Sequence, residues 1–394
     1  MAIPRYLLLP VLTGLSMGFM HMNIPPIAGQ FMELFGVRYG GLGILMSAFF
    51  WTHAACQVPA GLLIDRLGTL QALVFSFSIS AVALLLPLAA PESLGLAIAM
   101  RMVLGVSLTF TFLASLKALV LMAPPAAMTR AQGIQGASYC LGTMLPYAIL
   151  PLCGENAWFW SYIFSAFLNG LALLCLAMLP RKTLAAPGQK RNARDTWTVV
   201  KTISLAKALW VLGIFHGIAY GAMNNVGNWL PVILADLEGH SNAETWAMAT
   251  GVLLMLGIAA RALGPELLRW TSRVNLVLFS ILGIAFFFLI MGASTAAWLS
   301  YAAGAALVLC SGFTYGTLFN LTSRIMPPAY TATAIGFMNM MANLANIVII
   351  LVLGQGREFL GSFSLSFIGL GVMILGAAAV GGRVLKRGVA ADGQ

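Results

Sequence analysis

Twelve apolar runs follow one another along the chain, each about as long as a lipid bilayer is thick. A helix needs on the order of 20 apolar residues to cross the hydrocarbon core, and in lipid the backbone must satisfy its own hydrogen bonds. The sequence therefore predicts an all-α membrane protein with twelve transmembrane helices. The runs lie at about 6–29, 41–64, 71–90, 94–121, 131–152, 159–180, 207–234, 245–268, 274–293, 297–325, 331–354 and 360–383.

Composition excludes the water-soluble classes. Hydrophobic residues make up 60% of the chain, charged residues 8%, and the mean hydropathy is +0.93. No nucleophile, metal-ligand or phosphate-loop motif appears, and the five cysteines have no metal-ligand spacing, so we expect no enzyme, catalytic residue, metal site or cofactor. The first run has no small-residue cleavage site, and we expect it to be a membrane helix and not a signal peptide.

The basic residues divide unequally between the two sides of the membrane. If the N-terminus is cytoplasmic, 18 of the 21 Lys and Arg residues fall in inner loops or inner helix ends, and Arg261 is counted among them. The outer loops hold only Arg38 and Arg357. This division predicts that both termini are cytoplasmic, and it explains the net charge of +10 without nucleic-acid binding. The short loops favour a bacterial inner membrane.

The chain also contains an internal duplication. With an offset of 203 residues, Gly14 aligns with Gly217 and Gly18 aligns with Gly221. The same offset pairs prolines and arginines near the predicted hairpins. We therefore predict two pseudo-symmetric six-helix halves, 1–180 and 207–394, joined by a cytoplasmic linker at 181–206. The basic cluster in the linker is expected to contact anionic lipid headgroups.

A charged hairpin separates the second and third apolar runs. The segment Gly61–Gly68 reads Gly-Leu-Leu-Ile-Asp-Arg-Leu-Gly and places Asp65 and Arg66 at the water interface, where a charge costs little. With Pro59 before it, the segment resembles the cytoplasmic loop motif of the major facilitator superfamily. Thr69 and Leu70 stand where that motif has two basic residues, and the second copy, which keeps Gly264 and Arg269, has Leu268 in place of the aspartate.

This resemblance implies a transporter whose two halves alternate access to a central site. Asp65 and Arg66 would latch the cytoplasmic face at the start of the eleventh helix, near Thr331–Thr333. The residues expected to act in gating are Gly61, Asp65, Arg66, Gly68 and Arg269. The expected partners are a small-molecule substrate, membrane lipid and the proton as a candidate coupling ion, with the protein a monomer and nucleic acid excluded.

Arg101 is the basic residue that lies well inside a predicted span. It is about seven residues into the fourth run, roughly 10 Å at 1.5 Å per residue. A guanidinium at that depth is costly and is usually paired, hydrated or functional. The segment Arg101–Gly105 resembles the fourth-helix motif of the superfamily, which implies substrate or proton coupling. The alternative is a structural arginine bonded to backbone carbonyls.

Other polar residues mark three further helices. His216, Tyr220, Asn224 and Asn228 recur every four residues and share one broad stripe of the seventh helix, which either lines the cavity that the resemblance implies or joins helices as a polar seam. Asn339, Asn343 and Asn346 form a similar stripe on the eleventh helix, with the same two explanations. Tyr315 on the tenth helix is a candidate cavity residue.

His21 on the first helix aligns with Asn224 by the duplication and lies at nearly the depth of Arg101. We hypothesise that His21 and Arg101 face one site. His53 is expected to be a hydrogen-bonded packing residue.

The spans contain no deep Asp or Glu, so the interior carries positive or neutral potential. This predicts a small organic anion or a neutral polar solute rather than a cation, and any proton would be carried by a histidine or by the substrate. Three alternatives stay open: efflux of drugs or other hydrophobic compounds, soft-metal transport through Met17, Met20, Met22 and Met223 with His21, and a membrane role other than transport. The fifth run lacks the Gly-Pro pair that marks the superfamily's drug antiporters.

Overall fold

A computed structural model describes residues 5–124, 128–179, 184, 201–239, 242–326 and 328–391, and it leaves out some side chains inside these ranges, among them those of Asp65 and Thr331. The first half contains α1 (Arg5–Met22), α2 (Ala28–Phe35), α3 (Tyr39–Leu67), α4 (Thr69–Leu85), α5 (Leu94–Met122), α6 (Met128–Ile149) and α7 (Ala157–Ala177). The second half contains α8 (Lys207–Leu237), α9 (Ala243–Leu267), α10 (Arg273–Ala293), α11 (Ala297–Ile325), α12 (Pro328–Leu360) and α13 (Ser364–Ala391).

The helices follow the predicted spans closely. Within the described ranges, twelve of them have 17 residues or more, and α2 is the short exception. Nine described stretches are long and apolar enough to cross a membrane, and one of these, Ile134–Ala177, covers most of α6 and all of α7. The prediction of an all-α membrane protein is confirmed, and the helix count agrees with twelve spans.

Consecutive prolines explain the main departure from a predicted span. The first run is predicted as one span over 6–29 in which Pro25 and Pro26 bend or break the helix. In the structure α1 ends at Met22, and a 3₁₀ turn, Pro25–Ile27, separates it from α2. Two adjacent prolines remove two backbone donors, so the α-helical bonding cannot continue through them. The single Pro146 is tolerated inside α6, which continues to Ile149.

Large apolar side chains are exposed on the surface of the long helices, and polar side chains are buried among the apolar residues of the interior. Exposed residues include Val82, Val120, Leu174, Phe279 and Val380, each more than half exposed. Buried polar residues occur on most of the long helices, and examples are Thr13, Ser47, Ser107, Asn169, Thr250 and Asn346. This arrangement is expected for a protein in lipid, where a polar group facing the acyl chains would have no partner.

Close helix crossings repeat with the offset of the duplication. A side chain at Gly18 on α1 would overlap the carbonyl oxygen of Tyr139 on α6, so the two backbones meet there. On α8, a Cβ at Gly217 would lie 2.8 Å from Ala345 on α12, and one at Gly221 would meet the same helix. The two halves therefore use small residues at corresponding positions to bring their first and fifth long helices together.

The chain divides into two compact units. One comprises Met1–Lys190 with Ala247–Gly251, and the other comprises Arg191–Trp246 with Val252–Gln394. The predicted boundaries at 1–180, 181–206 and 207–394 stay predictions. Most of the predicted linker lies outside the described residues.

The charged hairpin turns on one glycine. Gly68 is the only residue between α3 and α4, and its φ of +91° is a conformation that residues with a Cβ rarely adopt. A Cβ at Gly61 would have no neighbouring atom within 4 Å among the described residues. Gly61 is therefore not required for a close contact between helices there. The contact predicted between Asp65 and Thr331–Thr333 lies outside the described residues.

The second copy of the hairpin has a different charge pair. Arg269 bonds to Glu266 at 2.8 Å, three residues before it, and both side chains are at least half exposed. Gly264, unlike Gly61, is packed closely, because a Cβ there would lie 2.7 Å from the carbonyl oxygen of Phe313.

Candidate functional site

Arg101 is buried in the first half and bonds to the end of α1. It lies seven residues after the start of α5 at Leu94, as predicted, and it is 3% exposed. Its Nη1 donates to the backbone oxygen of Met20 at 2.9 Å and to Oδ1 of Asn23 at 3.1 Å. Its Nε is buried and has no hydrogen-bond partner among the described residues.

The break in α1 supplies these acceptors. Because α1 ends at Met22, the carbonyl groups of its last turn have no helical donors and are open to other groups. Arg101 takes one of them, and Asn23, which follows the helix, supplies an amide oxygen. A bond to a backbone carbonyl is expected if Arg101 has a structural role. Among the described residues, however, no carboxylate accepts a hydrogen bond from the guanidinium.

His21 lies beside this cluster and is bonded through one ring nitrogen. Its Nδ1 forms a hydrogen bond with the hydroxyl of Tyr139 on α6. Its ring stacks on Phe49 with centroids 5.5 Å apart and meets the edge of Phe50 at 4.8 Å. The side chain is buried, and Nε2 has no hydrogen-bond partner among the described residues.

Phe49 is the side chain that His21 and Arg101 share. The Cζ atom of Arg101 is 5.7 Å from the centre of the Phe49 ring, whose stacking on His21 is described above. Arg101 also bonds to the residue that precedes His21 in the chain. The two residues therefore lie in one neighbourhood, and their joint role in binding stays a prediction.

His53 is a third residue that contacts Phe49. Its Nδ1 is 2.8 Å from the hydroxyl of Thr109 and 3.3 Å from the backbone oxygen of Gly105, and its ring stacks on Phe49. Gln57 is within 3.1 Å of its other ring nitrogen. These contacts give both nitrogens of His53 a neighbour.

The second half contains a separate polar recess. Arg261 on α9 enters it, and its Cζ lies 4.5 Å from the centre of the Tyr315 ring, which is a cation–π distance. His216 is 6.1 Å from Tyr220 and from Tyr315, measured between ring centres, and it also interacts with Asn339. The recess is lined by His216, Ala219, Tyr220, Met223, Arg261, Ser311, Thr314 and Tyr315.

The prediction that Arg261 belongs to an inner loop or an inner helix end is wrong. Arg261 lies six residues before the end of α9 at Leu267 and is partly buried against Tyr315 and Met223. The sequence held a signal for it, since Arg261 is seven residues from the end of the predicted span 245–268. That is the same depth that singled out Arg101.

The predicted stripe on α8 divides between two environments. His216 and Tyr220 reach the recess, whereas the Asn224 amide donates to the backbone oxygen of Tyr220 on its own helix. Asn228 is buried, and its amide nitrogen has no partner among the described residues. Neither Asn224 nor Asn228 lines the recess.

A neighbouring residue joins α8 to α12. The amide of Asn225 donates to Oδ1 of Asn346 at 2.8 Å. Asn346 therefore takes part in a polar seam between helices, one of the two explanations given for its stripe. Asn225 belongs to the stripe that follows the close-packed glycines, which explains why its side chain meets α12.

These features define a class of protein: a helical membrane transporter with two similar units, an apolar surface and a buried or partly buried arginine in each unit. The model of the Major Facilitator Superfamily matches residues 11–350. The chain belongs to that superfamily and is a secondary transporter.

Relatives that match along most of the chain are named as anion transporters. The probable sulfoacetate transporter SauU of Cupriavidus necator is 26% identical over 382 residues, which cover 91% of this chain and 88% of that protein. The probable anion transporter 5 of Arabidopsis thaliana is 24% identical and covers 79% of this chain and 78% of its own. A nitrite extrusion protein of Bacillus subtilis is 23% identical over about half of each chain.

Solved transporter structures share the fold. The crystal structure of a D-xylose–proton symporter has a TM-score of 0.79 at 16% identity and covers 96% of both chains. A POT family transporter in complex with 5-aminolevulinic acid has a TM-score of 0.76 at 13% identity and covers 96% of this chain and 95% of its own. At these identities the structures define the architecture alone.

Proposed function

We propose that this secondary transporter moves a small organic anion, of the size of a short sulfonate or carboxylate. The observation that carries the proposal is the burial of Arg101 with a carbonyl and an amide oxygen as its recorded acceptors. A buried cation without a counter-charge attracts an anion strongly, because the interior screens charge poorly. An anionic substrate supplies the missing charge.

Neighbouring side chains favour the same substrate class. His21 and Asn23 lie beside Arg101 and offer polar groups, and Phe49 closes one side with an apolar ring. The helices that carry these residues have no acidic side chain at this depth. A cationic substrate would be repelled by Arg101 and would find no carboxylate on these helices at this depth.

Arg261 extends the proposal to the second half. The recess around it combines a guanidinium with the hydroxyl groups of Ser311 and Thr314 and the ring of His216. The guanidinium and the imidazole can donate hydrogen bonds to the oxygens of an anion, whereas Ser311 and Thr314 donate to backbone oxygens of α11. We assign substrate-binding roles to His216, Tyr220 and Tyr315 with Arg261, while Asn224 and Asn228 stay predicted binding residues.

The names of the relatives support an anion as the substrate. Sulfoacetate and nitrite, which appear in two of these names, are both small and negatively charged. Sulfoacetate carries a carboxylate and a sulfonate, and both match the planar, forked donors of arginine. It is therefore the first probe to test.

We infer that transport follows alternating access. Gly61, Asp65, Arg66, Gly68 and Arg269 are the proposed gating residues. Of these, Gly68 fixes the α3–α4 turn through its positive φ, and Arg269 is paired with Glu266. The proton as coupling ion, the monomeric state, and both termini in the cytoplasm of a bacterial inner membrane are further proposals.

Binding of sulfoacetate to purified protein tests the anion proposal. We expect sulfoacetate to raise the melting temperature of the wild type in proportion to the logarithm of its concentration above Kd. Arg101→Gln removes the charge and keeps a hydrogen-bonding side chain, and it should weaken binding at least tenfold. Arg383→Gln, which alters an exposed arginine on α13, should bind like the wild type.

Nitrite and acetate serve as further small-anion probes. If Arg101→Gln binds all three anions as tightly as the wild type does, Arg101 is structural and the anion proposal loses its basis. Stabilisation by apolar drugs or by a soft metal ion, with none by these anions, would support the alternative transport functions.

A further inference from the structure

The imidazole of His21 has one occupied and one open nitrogen. Nδ1 bonds to the Tyr139 hydroxyl, and the rings of Phe49 and Phe50 hold the plane of the imidazole. Nε2 is buried and has no partner among the described residues. A buried polar atom without a partner is uncommon and calls for a ligand or a functional explanation.

The charged and titratable groups around His21 come from four helices. Arg101 on α5 is the cation, and Tyr162 on α7 interacts electrostatically with it. Tyr139 on α6 is the bonded hydroxyl, and His53 on α3 also stacks on Phe49. The sequences of α5, α6 and α7 contain no Asp or Glu. The acid of α3, Asp65, is 15 residues beyond Phe50 in the sequence, roughly 22 Å along the helix.

Proton and anion should therefore stabilise each other at this place. In the empty site, the charge of Arg101 opposes a second positive charge on His21. A bound anion next to Arg101 cancels that repulsion and adds an attraction to the imidazolium. By thermodynamic reciprocity, a proton on His21 then strengthens anion binding by the same factor.

We propose that His21 is the proton-binding group of this transporter and that it takes up a proton at Nε2 when the anion binds near Arg101. The proposal rests on the anion transport proposed above. The proton comes from the aqueous phase, and the imidazolium and the anion form a neutral pair beside Arg101. Transport of the two together is symport of an anion with a proton.

Tyr139 is a positioning residue in this scheme. A phenolic oxygen can accept from Nδ1–H in both the neutral imidazole and the imidazolium. The His21–Tyr139 bond can therefore persist in both charge states with the same direction, and it leaves the lone pair of the neutral ring on Nε2. Because a hydrogen bond to a charged group is the stronger one, loss of the hydroxyl should disfavour the protonated state.

Proton uptake during sulfoacetate binding tests the proposal. Full-length protein in weakly buffered detergent solution is titrated with sulfoacetate, with an indicator dye for protons and calorimetry for Kd. The wild type should take up as much as one proton per anion, and Kd should then rise about tenfold per pH unit. His21→Gln should still bind but take up no proton, and its Kd should be independent of pH.

Two further variants separate a proton site from a packing role. Tyr139→Phe should keep anion binding and shift the proton-uptake profile to lower pH, and this variant decides the question if His21→Gln does not fold. His53→Gln is the matched control and should keep the wild-type uptake.

The possible failures differ. If the wild type binds sulfoacetate without proton uptake, or if His21→Gln takes up protons like the wild type, the assignment of His21 is wrong and the anion proposal survives. If sulfoacetate, nitrite and acetate all fail to bind to the wild type, both proposals fall.

Discussion

At the scale of single residues, a glycine decides how closely α1 approaches α6. A Cβ at Gly18 would overlap the backbone of Tyr139 and lie 2.6 Å from the nitrogen of Thr143. Backbone atoms cannot move aside as a flexible side chain can. The same crossing places the Tyr139 hydroxyl at His21, so the glycine contact and the candidate site depend on each other.

We predict that Gly18→Ala destabilises the first half. Overpacking of this kind costs about 1–3 kcal/mol, because the two helices must move apart to accept the methyl group. The melting temperature of the purified variant measures the loss. Gly136→Ala on α6 is the matched control, because a Cβ at Gly136 has no neighbouring atom within 4 Å. Equal melting temperatures for the two variants would contradict the prediction.

The sequence predicted the depth of Arg101 but not its partners. Depth follows from counting residues along an apolar run, and the run began where α5 begins. The bond to Asn23 depends on the break in α1 and on which side chains face each other across separate helices, and neither follows from helical periodicity. Tyr139 and Phe49 were not predicted to contact His21, because the sequence does not show which side chains meet across separate helices. Aromatic rings are also common on helices that serve packing alone.

At the scale of helices, an ion pair joins α8 to α12. Arg357 donates through Nε and Nη2 to the two carboxylate oxygens of Asp236, at 3.0 and 2.9 Å, and through Nη1 to the backbone oxygen of Gly361. This forked geometry is the strong form of the Arg–carboxylate interaction. The side chains are 19% and 22% exposed, so solvent screens the pair only in part.

A double-mutant cycle with Asp236→Asn and Arg357→Gln should give a coupling free energy of about 1 kcal/mol. The free energies of unfolding of the two single variants and the double variant supply the cycle. The same cycle at Glu266 and Arg269, a pair 50–73% exposed, should give less than about 0.5 kcal/mol. Equal coupling at the two pairs would show that burial does not set the strength of these contacts.

Helix bounds were the most predictable feature at this scale. The predicted span 297–325 coincides with α11, and 274–293 differs from α10 by one residue. The ion pair was not predictable, because Asp236 and Arg357 are 121 residues apart in the sequence and each reads as an ordinary outer-loop charge.

At the scale of the whole molecule, the basic residues define the expected orientation. With Arg261 moved from the helix ends to the interior of α9, 17 of the 21 basic residues still fall on the side assigned to the cytoplasm. The membrane potential and the insertion machinery retain positive loops on that side, and the rule counts Lys and Arg near helix ends. One misplaced arginine does not reverse so large a bias, so the proposed orientation keeps its basis.

We therefore predict that fluorescent protein fused after Gln394 is fluorescent in a bacterial host, because that reporter folds only in the cytoplasm. Alkaline phosphatase, which is active only outside it, should be active when fused after Glu92, between α4 and α5, and inactive when fused after Arg269, between α9 and α10. The two reporters exchange their readouts if the orientation is the reverse. Activity after both Glu92 and Arg269 would instead indicate an even number of crossings between the two positions. The five helices α5 to α9 give an odd number, which is why an outer and an inner loop are expected.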